Sequence, residues 1–263
     1  MLNIIRSLTY FVKRDLVLLV TLFTCLVFPF VNVFVSGADM PFSDVTGSVY
    51  AIGHGADMGM FLMFGILVLT NRISGTDCAD KTIYYELMMG HSSVRAYFAR
   101  VLVSGLVGGG LLWIISLLPL GLLTLLNGWG SNGDMFNILL RSALSLLPFL
   151  RMATLFSVMT LVLGGFGKGL VFSFLFFDME SLAVSMIEEY TSFRFGALLG
   201  YSDIQDMLLY NNCKSVVVDG HIVNLYETGM APGRILASVI GAVISILIIS
   251  VAGCIWFRRK DRQ

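Results

Sequence analysis

Charge is what this sequence has least of. Only 13% of its 263 residues are Asp, Glu, Lys or Arg, about half of what a soluble domain uses to solvate its surface. That scarcity excludes a soluble globular domain. With 57% apolar residues and a mean hydropathy of +0.85, most of the outside must face lipid. Cysteine is sparse too. Cys25 and Cys254 fall in apolar segments, while Cys78 and Cys213 fall on opposite sides of the membrane in the topology below, so neither a disulfide framework nor a CxxC metal pattern exists. His54, His91 and His221 are scattered and form no HExxH. A cleavable signal peptide is not expected, because the first apolar run is too long for one and follows an amphipathic stretch.

A phosphate loop is also missing. Gly164-Gly165-Phe166-Gly167-Lys168-Gly169 is rich in glycine, but the spacing is wrong and Gly169 stands where a magnesium-binding hydroxyl is needed. The run reads as a tight glycine turn with one basic anchor, which excludes ATP hydrolysis by that route.

What is present is apolar sequence in helix-length blocks. A bilayer core needs about 20 apolar residues per helix. The blocks predict an all-α polytopic membrane protein with six spans: Leu16–Val35, Ala51–Thr70, Val101–Leu126, Asn137–Leu163, Leu170–Glu189 and Ile235–Phe257. Pro29 should kink the first. Gly105, Gly108, Gly109 and Gly110 in the third let helices approach closely in lipid. Ahead of the spans, Leu2–Arg14 places Leu2, Ile4, Ile5, Leu8, Phe11 and Val12 on one side and Arg6, Lys13 and Arg14 mostly on the other. This pattern predicts a helix lying in the membrane interface.

Basic residues set the orientation. With the N-terminus inside, Arg6, Lys13, Arg14, Arg72, Lys81, Arg95, Arg100, Lys168, Arg258, Arg259, Lys260 and Arg262 fall on the cytoplasmic side, against only Arg194, Lys214 and Arg234 outside. Both termini are therefore expected in the cytoplasm. Two segments leave the bundle. Asn71–Arg100 is expected on the cytoplasmic face as a helix over Ala79–Met89, a cap at Gly90, and a second helix started by Ser92 or Ser93. Residues 190–233 are expected outside as a small cap, with a short helix over Ser202–Tyr210 and a hairpin turning at Asp219-Gly220 between Val216–Val218 and His221–Val223.

Charges inside spans are costly and are usually paired. Arg141 and Arg151 lie in the fourth span, Asp178 and Glu180 in the fifth. Arg151 and Glu180 are nearly equidistant from the turn at Phe166, which predicts that Arg151 faces Glu180 or Asp178. Such a pair would either fix helix packing or line a substrate path. His54 and Asp57 read as a satisfied polar pair rather than a metal site. Glu188-Glu189 followed by Arg194 is similar to the paired-glutamate motif of intramembrane CAAX-type proteases, but the spacing is one residue too long and no downstream Phe-xxx-His element follows.

The amphipathic N-terminal helix, six spans, cytoplasmic insert after the second and extracellular insert after the fifth together resemble the ABC-2-type permease subunits of bacterial ABC transporters. The most specific part is Asp80-Lys81-Thr82-Ile83, then Glu86-Leu87, Gly90 and Ser92-Ser93, with Ser93-Val94-Arg95 in place of the usual adjacent Ser-Arg. The resemblance covers nearly the whole chain. It implies a permease that exports a peptide, lipophilic or drug-like substrate across the bacterial cytoplasmic membrane, paired with a second permease subunit. ATP and Mg would be bound by a separate cytoplasmic ATPase, not by this chain, and no nucleic-acid partner is expected. Thr82, Ile83, Glu86, Leu87 and Met88 would form the coupling helix that contacts the ATPase. Gly164–Lys168, with Gly167 and Lys168 exposed to the partner, would form a second contact. The competing readings are the CAAX-type protease, tested by substituting Glu188 or Glu189, and a non-transporting immunity or sensor protein.

Overall fold

The computed structural model describes residues 1–36, 42–53, 55–79, 85–86, 88–90, 92–131, 133–190, 213–218, 221–226 and 229–260. Among these the regular elements are helices, except for one two-stranded hairpin. Helix α1 (Leu2–Arg14) buries Ile4 and Leu8 from the apolar face read in the sequence. A bend of 68° separates it from α2 (Leu16–Ser36). Asp15 forms the corner: its Oδ1 accepts the Leu18 N–H at 3.0 Å, satisfying one of the open donors at the start of α2.

Helices α3 (Gly47–Gly53) and α4 (Gly55–Ala79) follow. Then α5 (Ser93–Ser104), a π-helical segment (Gly105–Leu111) and α6 (Leu112–Asn127) run as one long helix. Gly128 and Gly130, both at positive φ, make the next turn. Helices α7 (Met135–Leu144) and α8 (Leu146–Leu163) are joined at Ser145, and Gly164, left-handed at φ 75°, closes α8. Helix α9 (Phe166–Tyr190), strands β1 (Cys213–Val218) and β2 (His221–Tyr226), and α10 (Pro232–Lys260) complete the chain.

Three helical stretches are long and apolar enough to cross a membrane: Ser93–Asn127, Met135–Leu163 and Ile235–Arg259. The bent pair α1–α2 makes a fourth if it is counted as one broken span. Helices α4 and α9 contribute the shorter apolar stretches Phe61–Thr76 and Phe166–Phe176 among the described residues.

Helix α8 is the axis of the bundle and packs against α4, α5, the π segment, α9 and α10. Phe149, Met152, Ala153 and Phe156 are buried along it. By contrast α10 turns a wide apolar side outward, with Leu236, Ile240, Leu247, Ile248 and Trp256 all exposed, as expected of a lipid-facing helix. Between helices in lipid there is no water to expel, so close backbone approach supplies the attraction. Gly75 of α4 lies against the backbone of Phe166, Gly109 against the carbonyl of Phe149, and Gly253 of α10 against the Tyr97 ring.

Several boundaries differ from the sequence reading. The second span was expected to end at Thr70, but α4 continues to Ala79. Asn71 and Ser74 are buried in the bundle rather than solvated below it, because their polar groups find partners on neighbouring helices. The helix expected to start at Ser92 or Ser93 does so and runs on into the third span, but through an unexpected π segment. The fourth is two helices. The glycine turn is shorter than expected, since α9 already starts at Phe166. The hairpin pairs Val216 with Val223, Val217 with Ile222 and Val218 with His221, the register that a turn at Asp219-Gly220 demands. The Ser202–Tyr210 helix, His54 and the side chain of Asp57 lie outside the described residues.

Candidate functional site

The chemistry-bearing side chains concentrate at one end of the bundle, where α4 ends and α5 and α9 begin. Tyr85, Glu86 and Met88 are helical, and the Met89 N–H donates to the Tyr85 carbonyl at 3.0 Å. Gly90 then takes φ 85°, the left-handed geometry that ends a helix and favours glycine. Ser92 caps α5, its hydroxyl accepting the Arg95 N–H. The expected order of helix, glycine cap and serine-started helix is therefore observed where it is described.

This short segment is amphipathic. Met88 is 83% exposed, and Met89 and Tyr85 are exposed beside it. Glu86 turns the other way: its Oε2 accepts from Arg100 Nη1 at 2.9 Å. The Arg100 side chain is fully buried, and Glu86 is 17% exposed. Arg100 also donates to the Ala96 carbonyl at 3.1 Å. Glu86 is thus spoken for within the chain, while Met88 presents an apolar surface outward. Thr82, Ile83 and Leu87 lie outside the described residues.

The glycine turn belongs to the same end. Gly167 and Lys168 are exposed on the first turn of α9. Arg72 of α4 joins three elements there. It donates to Asp15 Oδ2 from Nε at 3.1 Å and Nη2 at 2.8 Å, and its guanidinium lies 5.6 Å from the centre of the Phe166 ring. Burial pushes the Asp15 carboxyl up, but hydrogen bonds from Arg72 and Leu18 and the Arg72 charge pull it further down, so its pKa lies below the ordinary carboxylate value. A depressed carboxylate pKa stabilises the fold above the unfolded value of about 3.9, and that contribution is lost as pH falls through the folded value. Asp15→Asn keeps the helix cap and removes the ion pair, so it should cost about 0.5–1 kcal/mol at neutral pH. In thermal melts of the detergent-solubilised protein the gap between variant and wild type should narrow below about pH 4. A gap that stays constant on acidification would count against the ion pair as its source.

Inside the bundle, polar groups cross between helices in two layers. The Ser74 hydroxyl meets those of Ser104 at 2.8 Å and Ser157 at 2.7 Å. One turn away, the Asn71 side-chain amide donates to the Leu67 carbonyl at 2.6 Å, and its oxygen accepts from Thr160 and from Ser173, the latter at 3.4 Å. These layers tie α4 to α5, α8 and α9. The sequence reading missed them because Asn71 and Ser74 resemble the start of a loop when read singly. The Arg72–Asp15 pair was also missed, although Asp15 stands directly before an apolar run, where a helix cap is expected.

The intramembrane charges are only partly visible. Arg151 is 5% exposed, and its Nε donates to Ser245 Oγ of α10 at 2.7 Å. Arg141, buried in α7, donates to the Gly229 carbonyl at 3.4 Å. The side chains of Asp178 and Glu180, and so the expected pairing with Arg151, lie outside the described residues. Glu188 and Glu189 fall near the end of α9, with Glu189 exposed. Arg194 lies outside the described residues. Among the described residues no three His, Cys, Asp or Glu side chains gather as a metal site. No protein-family model, curated protein or solved structure matches the chain.

Proposed function

We propose that this chain is the membrane-spanning permease subunit of an ATP-driven exporter of the ABC-2 type. In this reading α2, α3–α4, α5–α6, α7–α8, α9 and α10 are six spans and α1 lies along the inner interface. Both termini and the 80–92 segment face the cytoplasm, and residues 190–233 form an outer cap. The charge bias supports that orientation, since Arg72, Lys168 and Arg95 sit at the proposed inner end. A second permease subunit completes the pore. A cytoplasmic ATPase holds ATP and Mg and supplies the work, and the cargo is a peptide, lipophilic or drug-like molecule.

The observation that carries the reading is the segment ending at Gly90. Its described residues Tyr85, Glu86 and Met88 are helical; Glu86 bonds to Arg100 of α5, and Tyr85, Met88 and Met89 face outward. An exposed apolar edge on a segment anchored to the bundle suits docking into a groove on a soluble partner. Thr82, Ile83, Leu87 and Met88 are the proposed contacts, with Gly167 and Lys168 on the first turn of α9 as the smaller second one.

Affinity purification of the tagged protein from its native membrane, with mass spectrometry of what accompanies it, tests this. A soluble ATPase is expected at stoichiometric yield. Met88→Asp, on an exposed side chain whose change leaves the bundle intact, should reduce that yield about tenfold or more. A chain that repeatedly purifies alone from gentle detergents would sink the permease reading.

A further inference from the structure

A docking helix transmits work only if its motion reaches the spans, and the residues around Glu86 form a physical route. Only a few residues separate Glu86 from the start of α5, and Gly90, at φ 85°, makes the turn between them. Across that turn Glu86 Oε2 is bonded to Arg100 Nη1 at 2.9 Å. Arg100 lies two turns into α5, fully buried, and is also held by the Ala96 carbonyl. Backbone turns of this kind are compliant, whereas a charge-assisted bond to a buried guanidinium is short and directional. Five residues beyond Arg100 the α-helix gives way to the π segment Gly105–Leu111. An interruption of this kind locally loosens the regular backbone bonding and often marks a functional site. On the far side of the segment α6 continues the same helix. A pull on Glu86 therefore acts on the lower arm of a helix that is interrupted just above it.

We infer that the Glu86–Arg100 ion pair is the positioning link that carries displacement of the 85–90 segment into α5, with Gly105–Leu111 as the hinge about which α5 tilts. This rests on the permease reading, and it assigns Glu86 to the inside of the coupling segment rather than to the ATPase surface. Neither residue touches nucleotide or cargo.

The test uses the complex of this chain with its ATPase, purified in detergent. Hydrogen exchange of Ser93–Leu111 is compared without nucleotide and after trapping with Mg-ATP and vanadate. Wild type should show a nucleotide-dependent change in this stretch. Glu86→Gln should keep the ATPase bound and the melting temperature close to wild type, yet lose about tenfold of that response. Glu86→Asp, which retains the charge, should keep it. If Glu86→Gln impairs folding, the exchanged pair E86R/R100E decides: recovery of the response supports the link, and a well-folded exchanged pair without response overturns it. A Glu86→Gln complex that responds like wild type overturns the inference while leaving the permease reading intact. A wild-type chain that brings down no ATPase overturns both.

Discussion

Gly75→Leu should abolish the folded bundle, and Gly75→Ala alone should lower its melting temperature by about 5 °C. The reason is where a Cβ at this position would go. It would stand 2.6 Å from both the Cα and the N of Phe166 and 2.8 Å from the Thr160 methyl. Two of those three atoms are backbone, and they belong to the first residue of α9, directly after the tight turn at Gly164. A flexible side chain could swing aside, but this backbone cannot move without shifting α9 against α4. The same movement would pull Phe166 from the Arg72 guanidinium and disturb the corner at Asp15. Overpacking a rigid site costs about 1–3 kcal/mol for small additions and more for a leucine. Gly121→Ala in α6 is the control, because a Cβ there meets nothing within 4 Å. Fluorescence-detected gel filtration and thermal melting in detergent read both variants. A Gly75→Ala protein that melts with Gly121→Ala would show that α4 and α9 are not packed this closely.

Asn71→Leu should destabilise the protein by about 2 kcal/mol, enough to move the melting temperature by several degrees. Asn71 joins α4 to both α8 and α9. Its oxygen accepts from Thr160 and Ser173, and its amide is spent on the Leu67 carbonyl of its own helix. Leucine is of similar size but returns none of these bonds. Thr160 is not orphaned, since it also donates to the Phe156 carbonyl at 2.9 Å, so the cost stays below that of a stranded polar group. The branched end of leucine would also lie beside Gly169, where an added Cβ would stand 2.7 Å from the Asn71 oxygen. Ser74→Ala, one turn on, removes hydroxyl contacts with Ser104 and Ser157 and should cost less, because those two can bond each other or their own helices. An Asn71→Leu protein that melts at the wild-type temperature would mean that the two polar layers do not hold these helices together.

The legibility of the sequence varied with the range of the interaction concerned. Helix α1 begins and ends at Leu2 and Arg14, as its amphipathic pattern predicts, because a local period of apolar residues needs no knowledge of the rest of the chain. The Gly90 cap, the Ser92 start and the hairpin register about Asp219-Gly220 were legible for the same reason. The end of α4 was not. Asn71, Arg72 and Ser74 form a polar cluster after an apolar run, and only partners distant in sequence turn that cluster from a loop into helix: Asp15, Thr160, Ser173, Ser104 and Ser157. Glu86 was legible as a member of the helical segment ahead of Gly90 but not in its direction, which depends on the burial of Arg100 beneath it.

The scarcity of charge and the length of the apolar blocks determined from the sequence alone that this is a helical, lipid-exposed chain, because the cost of placing polar groups in hydrocarbon acts on every residue independently. The tertiary structure decided which helix is the axis, which glycines are contact points and which polar residues bond across the bundle. Those outcomes depend on pairs of residues brought within a few ångströms from distant parts of the chain, such as Arg72 on Asp15 and Tyr97 on the Ser250 carbonyl, and no local pattern encodes the partner.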